Sequence, residues 1–364
     1  MLTQQELGAN AVVTQQELGV FSKDRWQRQR FMALARPLLI LLVALLFFGL
    51  VLLLFGKNPI LAYSDIFRNT LGSRYGFSEI LVKLSPLLLC ALAVLLPARV
   101  GLVNVGGEGQ IYMGAWLATW GALTLGDNLP QPLALLAVLV LGFVGGGLWA
   151  AIPAILRARG WLNEVISTLL LNYVAILFVN YFIYGAWRDP ESANFPQTVK
   201  FAEGYRLPHL GATRVHLGLL LGLVAVGLIY YLLRHTRWGY AMRAIGGNPE
   251  AALRHGFPIA RYLIITMFIA GGLAGLAGVG EVMAIQGRLR PAFSPGYGYI
   301  GFLISWLAGH NPLYAVGMAF LLAIIALGGD TLQITQNVPF ATVNILMAAI
   351  LFVVLGDFFR SKQA

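Results

Sequence analysis

Three stretches of this chain hold the carboxylates, amides and glycines that could do chemistry. In GLVNVGGEGQIYMGAW (101–116) the lone carboxylate Glu108 sits among Gly101, Gly106, Gly107 and Gly109, with Asn104 and Gln110 on either side. Each glycine destabilises a helix by about 1 kcal/mol relative to alanine, so the spacing predicts broken or re-entrant backbone. In NEVISTLLLNY (163–173), Glu164, Thr168 and Asn172 recur every four residues and share one helix face. The third stretch joins Glu281 and Gln286 to the glycine-rich Pro295–Gly301, which includes Tyr297, and repeats the pattern of a carboxylate beside irregular backbone. An ionisable or polar group within an apolar span marks a solute path by default. Asn104, Glu108, Gln110, Glu164, Thr168, Asn172, Glu281 and Tyr297 are therefore the candidate pathway residues. A capping role for Glu108 at the start of its span, and interhelical hydrogen bonding for the 164–172 stripe, stand beside that reading.

Other chemistries lack their residues. Neither G-x-x-x-x-G-K-[ST] nor a Rossmann G-x-G-x-x-G is present, so the chain is not expected to hydrolyse ATP itself. The five histidines show no metal-ligand spacing and are expected to be solvated. No metal and no cofactor are expected, and no nucleophile with a base appears. Asp330 and Asp357 are expected at span ends, in reach of water. Aromatics such as Trp116, Trp120, Tyr173, Trp187 and Trp306 could stack on a base, but most are expected in packing or in an interfacial belt.

A fourth stretch, WGYAMRAIGGNPEAALRHGFP (238–258), carries helix punctuation. Asn248 suits an N-cap, Pro249 the first helical position, Glu250 the positive dipole end, and Gly256 a left-handed stop with Pro258 beyond it. The expected product is a helix of about seven residues, roughly 10 Å long. It is too short to cross a membrane and suited to passing motion between proteins. An interfacial helix anchored by Trp238, Arg243 and Arg254 is the alternative.

The elements that must position these groups follow from composition. The chain has 364 residues, 58% hydrophobic and 11% charged, against about 25% charged in soluble domains; such apolar surface needs a bilayer. The net charge of +10 fits basic residues flanking apolar spans and is not taken as a sign of nucleic acid. The one cysteine, Cys90, excludes an internal disulfide. Crossing the hydrocarbon takes roughly 20 mostly apolar residues. Charge-free runs lie at 37–55, 84–98, 109–126, 130–156, 165–187, 217–233, 262–280, 291–309, 311–329 and 331–356, the last with a polar lead-in, Thr331 to Asn337, expected outside the membrane.

The expected fold is an all-α bundle of about ten spans. Counting from a basic N-terminal arm (1–35) places most Lys and Arg residues on one side, with both termini cytoplasmic. The domains are then the arm, a transmembrane region at 36–358 with a cytoplasmic loop at 234–261, and a tail at 359–364. Five spans per half would set the halves in inverted topology. Residues 56–80 suggest a short interfacial helix outside. The TQQELG repeat at 3–8 and 14–19 is assigned no function.

The strings GLVNVGGEGQ, NEVISTLLLNY, GGNPEAALRHG and PGYGYIGFLISWLAGHNPL (295–313) together resemble the permease subunits of bacterial ABC importers in the branched-chain amino acid, simple-sugar and nucleoside group, the first two strings looking most like the nucleoside branch. The resemblance runs from about residue 35 to 358. It implies a non-catalytic subunit of the inner membrane, paired with a second, related permease chain, docked on a separate ATPase, and fed by a substrate-binding lipoprotein or periplasmic protein. By that similarity Arg243, Gly246, Gly247, Asn248, Pro249, Glu250, Ala251, Arg254 and Gly256 belong to a coupling helix entering the ATPase, with the two glycines turning the chain into it. A nucleoside is the expected solute. A simple sugar such as ribose, or proton-driven transport through Glu108, Glu164 or Glu281, is the alternative.

Overall fold

The computed structural model describes residues 42–43, 45–125, 129–339, 342, 344, 345 and 348, and every regular element among them is helical. The helices are α1 (Leu45–Leu54), α2 (Pro59–Asn69), α3 (Arg74–Ala98), α4 (Gly107–Thr124), α5 (Gln131–Ala158), α6 (Glu164–Tyr184), α7 (Leu217–His235), α8 (Arg237–Gly247), α9 (Pro249–Arg254), α10 (Ile259–Val279), α11 (Tyr297–Leu307) and α12 (Pro312–Gln336). Gly280–Gln286 continues α10 as a π-helix. Residues 61–338 form one unit, and the residues on either side, including α1, form another. The N-terminal arm with its repeat, half of the last expected span and the C-terminal tail, with Asp357 before it, lie outside the described residues.

Six of the described helices are long and apolar enough to cross a membrane: α3, α5, α6, α7, α10 with its π extension, and α12. They differ in what covers them. The apolar window of α3 is 89% buried, whereas that of α5, α6 and α7 is 33% buried. α3 is thus the central post, packed by α10, α11, α12 and α7. The outer helices turn Leu136, Leu170, Leu177 and Leu228 outward, as a lipid-facing surface requires. α4 begins with the polar run Gly107–Gln110, which lipid would not tolerate. It is enclosed by α5, α6, α10 and α11, and Gly107 to Ala115 are buried.

Small residues permit that enclosure. A Cβ added at Gly146 would stand 2.8 Å from the Gly275 Cα, and one added at Gly275 would meet the Gly142 carbonyl. Gly114 and Gly278 close the same seam from α4 and α10, so α4, α5 and α10 approach backbone to backbone, as small residues allow in membrane helices. Gly272 instead makes room for the Phe143 ring. In α11, Gly301 lies against Cys90 of α3, where an added Cβ would be 2.5 Å from the cysteine Cβ.

Several expected boundaries change. The run at 84–98 is the second part of a longer helix that starts at Arg74, where Ser73 Oγ accepts a hydrogen bond from the Gly76 amide at 2.9 Å. The expected span at 291–309 is reduced to the 11-residue α11, because Gly287 (φ +67°) and Gly296 (φ +95°) bound a non-helical stretch before it. The polar lead-in from Thr331 is helical: α12 continues through it to Gln336, whose amide donates to Asp65 at 2.7 Å. The short helix expected within 56–80 is α2.

Gly275→Val should lower stability by about 1–3 kcal/mol through overpacking of the glycine seam. Gly227→Ala, on α7 with nothing within 4 Å of the added carbon, should match or exceed the parent. Thermal unfolding of both variants in detergent checks this, and equal midpoints would refute the seam's role.

Candidate functional site

The end of α3 shows why the chain breaks after residue 98. Pro97 has no N–H to give the Ala93 carbonyl four residues earlier, and Asn104 Nδ2 supplies the missing donor at 3.0 Å. Asn104 and Gln110 then clasp each other through two hydrogen bonds, Asn104 Nδ2 donating to Gln110 Oε1 at 3.1 Å and Gln110 Nε2 to Asn104 Oδ1 at 2.9 Å. Asn104 Oδ1 also accepts from the Gly106 amide at 3.0 Å. From α6, Asn172 accepts from the Gly109 amide at 2.8 Å and donates to the Val105 carbonyl at 2.9 Å and the Tyr299 hydroxyl at 3.3 Å. Thr168 Oγ1 accepts from the Val105 amide at 3.4 Å and donates to the Glu164 carbonyl at 2.6 Å. The expected break is present, and Asn104, Gln110, Thr168 and Asn172 meet around it with their polar atoms engaged by protein.

Glu108 faces a second break. Its Oε2 accepts from the Gly298 amide at 2.9 Å, while the Ser294 hydroxyl oxygen accepts from the Gly296 and Tyr297 amides, each at 3.3 Å. α4 begins at Gly107 and α11 at Tyr297, so two helix N-termini converge here. Both present unsatisfied N–H groups and positive dipole ends, and Glu108 is the acceptor between them. The two backbones touch: a Cβ on Gly298 would lie 2.5 Å from the Gly107 carbonyl carbon. A cap for Glu108 was anticipated on its own helix, whereas the bond to Gly298 caps a different one.

The remaining pathway candidates have other surroundings. Glu164, 5% exposed, pairs at 3.0 Å with Arg157 of α5 and pins the α5–α6 turn. Glu281 accepts from Gln286 Nε2 at 3.3 Å, and the same amide donates to the Phe293 carbonyl at 3.1 Å. Tyr297 is buried at the start of α11.

Near them are charges that a search for charge-free runs passed over. Lys83 of α3 pairs with Asp330 of α12 at 2.8 Å, and Glu79 pairs with Arg214 at 3.0 Å. Asp330 is therefore paired, and its carboxylate is 39% exposed and in reach of water as expected, although α12 runs on past it to Gln336. The missed signal was Lys83 itself, a lone ammonium within an apolar run, which argues for a partner across the bundle.

The aromatic and histidine expectations resolve similarly. Trp116 stacks on Trp187 at 5.7 Å and meets Phe178 and Phe182 edge-on, so protein occupies its faces. His216 is not solvated. It is 1% exposed and its Nδ1 accepts from the Gly218 amide at 3.1 Å to cap α7. Burial, then His209 nearby, lowers its pKa to about 4. Among the described residues no group of three His, Cys, Asp or Glu side chains could hold a metal ion.

The 234–261 loop holds two helices, of which the sequence pattern gave one. Asn248 Oδ1 caps α9 from the Ala251 amide at 3.0 Å, with Pro249 at its first position and Gly256 left-handed at φ +81°. α9 has 6 residues. α8 was missed because Gly239, Gly246 and Gly247 weaken helical propensity. The glycines at 246 and 247 do not turn the chain; they are the last residues of α8. Gly246 is required by contact, since an added Cβ would meet the Arg99 carbonyl, whereas nothing lies within 4 Å of Gly247. Arg243 points back to donate to the Leu233 carbonyl of α7. Glu250, Leu253 and Arg254 on α9 are exposed.

A multi-pass helical bundle whose broken helices meet inside on a carboxyl group, with a capped helix standing outside the spans, defines a membrane transport subunit. The chain belongs to the family described as branched-chain amino acid transport system / permease component, whose pattern matches residues 76–355. It is 36% identical over 343 residues to the glucose ABC transporter permease protein TsgB13 of Haloferax volcanii, covering 91% of this chain and 89% of that protein. It is 30% identical to the guanosine ABC transporter permease protein NupP of Bacillus subtilis (91% and 95% covered) and 29% identical to the nucleoside ABC transporter permease protein NupB of Lactococcus lactis (88% and 90%). No solved structure matches the chain.

Glu108→Ala should strand the buried Gly298 amide and lower stability by about 1–3 kcal/mol, while Glu108→Gln, which keeps an acceptor oxygen, should lose less than half as much. Thermal unfolding of the two variants checks this. Equal losses would show that the hydrogen bond to α11 is not what the side chain supplies.

Proposed function

We propose that this chain forms one half of the translocation pathway of an ATP-driven nucleoside importer in a bacterial cytoplasmic membrane. The observation that carries the reading is identity over about nine-tenths of the chain to proteins named as ABC transporter permeases, two of them for nucleosides or guanosine. Lactococcus lactis and Bacillus subtilis each supply two such relatives to this chain, NupB with NupC and NupP with NupQ, which favours a heterologous second permease as partner. A cytoplasmic ATPase supplies the energy, and a lipoprotein or periplasmic protein delivers the solute. The chain itself catalyses no reaction, and its cofactor complement is nil.

In this reading about ten spans place both termini and the 234–261 loop in the cytoplasm, and the two helix breaks belong to inverted halves of five spans each. The domains are the arm at 1–35, the transmembrane region at 36–358 and the tail at 359–364. α9 with the end of α8 is the coupling element, running from Arg243 through Gly246, Gly247, Asn248, Pro249, Glu250, Ala251 and Arg254 to Gly256. Its 63% exposed Leu253 is an apolar side chain offered to a partner.

The solute passes Glu108, Glu281 and Tyr297 beside α11. Asn104, Gln110, Glu164, Thr168 and Asn172 hold the breaks open at the right separation. Glucose is the second reading, favoured by the 36% identity to a glucose permease.

Two outcomes test this. In vesicles reconstituted with the partner subunits, adenosine or guanosine uptake should saturate, and glucose and ribose should compete poorly. Competition by glucose at the same concentrations as nucleoside would transfer the assignment to a sugar. Separately, Ala251→Glu and Leu253→Asp should reduce co-purification of the ATPase at least tenfold while membrane insertion is unchanged, since the apolar spans are untouched. Undiminished recovery of the ATPase with both variants would remove α9 from the interface.

A further inference from the structure

A cavity of ≈ 160 Å³ lies where α3, α7, α8 and α12 end or begin, and three guanidinium groups line it: Arg99, Arg234 and Arg243. Arg99 follows α3, Arg234 is in the last turn of α7, and Arg243 is on α8. Asn311 and Tyr230 complete the polar lining, and no carboxylate takes part. Among the described residues none of the three arginines forms an ion pair. Helix capping uses little of their capacity. Arg99 donates to the His310 carbonyl, Arg243 to the Leu233 carbonyl and Arg234 to the Tyr230 hydroxyl at 2.8 Å. A guanidinium has five N–H donors, and the Nε of Arg99 is buried with no partner among the described residues.

Three positive charges around one space, two of them on exposed arginines and one on the half-buried Arg99, repel one another and favour a shared anion, and planar guanidinium forks match phosphate oxygens well. The flanking surfaces point to where that phosphate comes from. Leu228 and Tyr231 on α7 are 64% and 61% exposed, and Leu313 and Tyr314 on α12 are 49% and 67% exposed, so the cavity lies at the end of an apolar, lipid-facing wall. Basic pockets between membrane helices at the headgroup level are suited to anionic lipids. We propose that Arg99, Arg234 and Arg243, with Asn311, form a phosphate-binding site that takes the headgroup of an anionic phospholipid on the membrane face carrying α8 and α9. A bound lipid would tie α8, and with it α9, to the ends of α7 and α3.

The test is native mass spectrometry of the purified full-length chain in mixed micelles holding equal amounts of phosphatidylglycerol and phosphatidylcholine. Phosphatidylglycerol should be retained preferentially. Arg234→Gln and Arg243→Gln should each weaken its retention about fivefold, at about 1 kcal/mol per basic residue near the headgroup, with phosphatidylcholine unaffected. Among the described residues Arg234 has no partner other than Tyr230, so its variant keeps the test valid if Arg243→Gln disturbs α8. Inorganic phosphate, added as a competitor, separates the sources. Failure to displace the lipid supports the headgroup, and displacement with a rise in thermal stability supports the same oxyanion chemistry from solution. Equal phosphatidylglycerol retention by the parent and both variants overturns the site. So does unchanged retention with loss of ATPase co-purification, which would assign the guanidinium groups to acidic side chains of a partner.

Discussion

Irregular backbone inside a bilayer has no water to fall back on, and each N–H or C=O left over must find a partner within the protein. In this chain the bond from the Gly298 amide to the Glu108 carboxyl group meets that demand at its most exposed point, where two helices begin inside the bundle. Much else follows from it. α4 and α11 must start face to face, so position 298 must be a glycine to let the backbones meet. Their neighbours must enclose them completely, and so α3 and α10 become central while α5, α6 and α7 face lipid. The amides of Asn104, Gln110 and Asn172 extend the same solution to the segment between α3 and α4. Asn104 even replaces the donor that Pro97 lacks.

Such an arrangement favours a junction over a continuous post. A helix held by a ladder of internal bonds changes length only by breaking that ladder, whereas two helix ends joined through side chains can separate by exchanging a few bonds. Elsewhere in the bundle Lys83 pairs with Asp330 and Glu281 accepts from Gln286, whereas the amides of Asn104, Gln110 and Asn172 bond backbone and one another. In each of the pairs Lys83–Asp330 and Glu79–Arg214 one partner is largely enclosed and the other reaches the surface, so neither enclosed charge is left without a counter-ion.

How much of this was legible in sequence depends on the physics involved. Asn248, Pro249 and Gly256 declared the ends of α9 correctly because capping is local chemistry. The glycine cluster around Glu108 declared a break, and the four-residue spacing of Glu164, Thr168 and Asn172 declared a face. What the sequence did not declare was partnership across the bundle. Lys83 looked like the end of a span because its carboxylate lies some 250 residues further on. Glu108 looked like a cap for its own helix because Gly298 cannot be paired with it by spacing. α8 was hidden for a related reason: its glycines lower propensity, and the contact that makes Gly246 worth keeping, the Arg99 carbonyl, is in another part of the chain.

The packing of Gly301 against Cys90 has a practical consequence. The chain's only thiol is sealed in the middle of α3, 0% exposed and covered by a neighbouring backbone. Water-soluble maleimides and spin labels therefore meet no native reactive group on the folded protein. A cysteine introduced at any exposed position would be the single labelled site without prior removal of Cys90, and a pair of them would report one distance. The natural sequence is in effect its own labelling background, so movements of individual helices can be followed spectroscopically in a protein whose packed interior has not been altered.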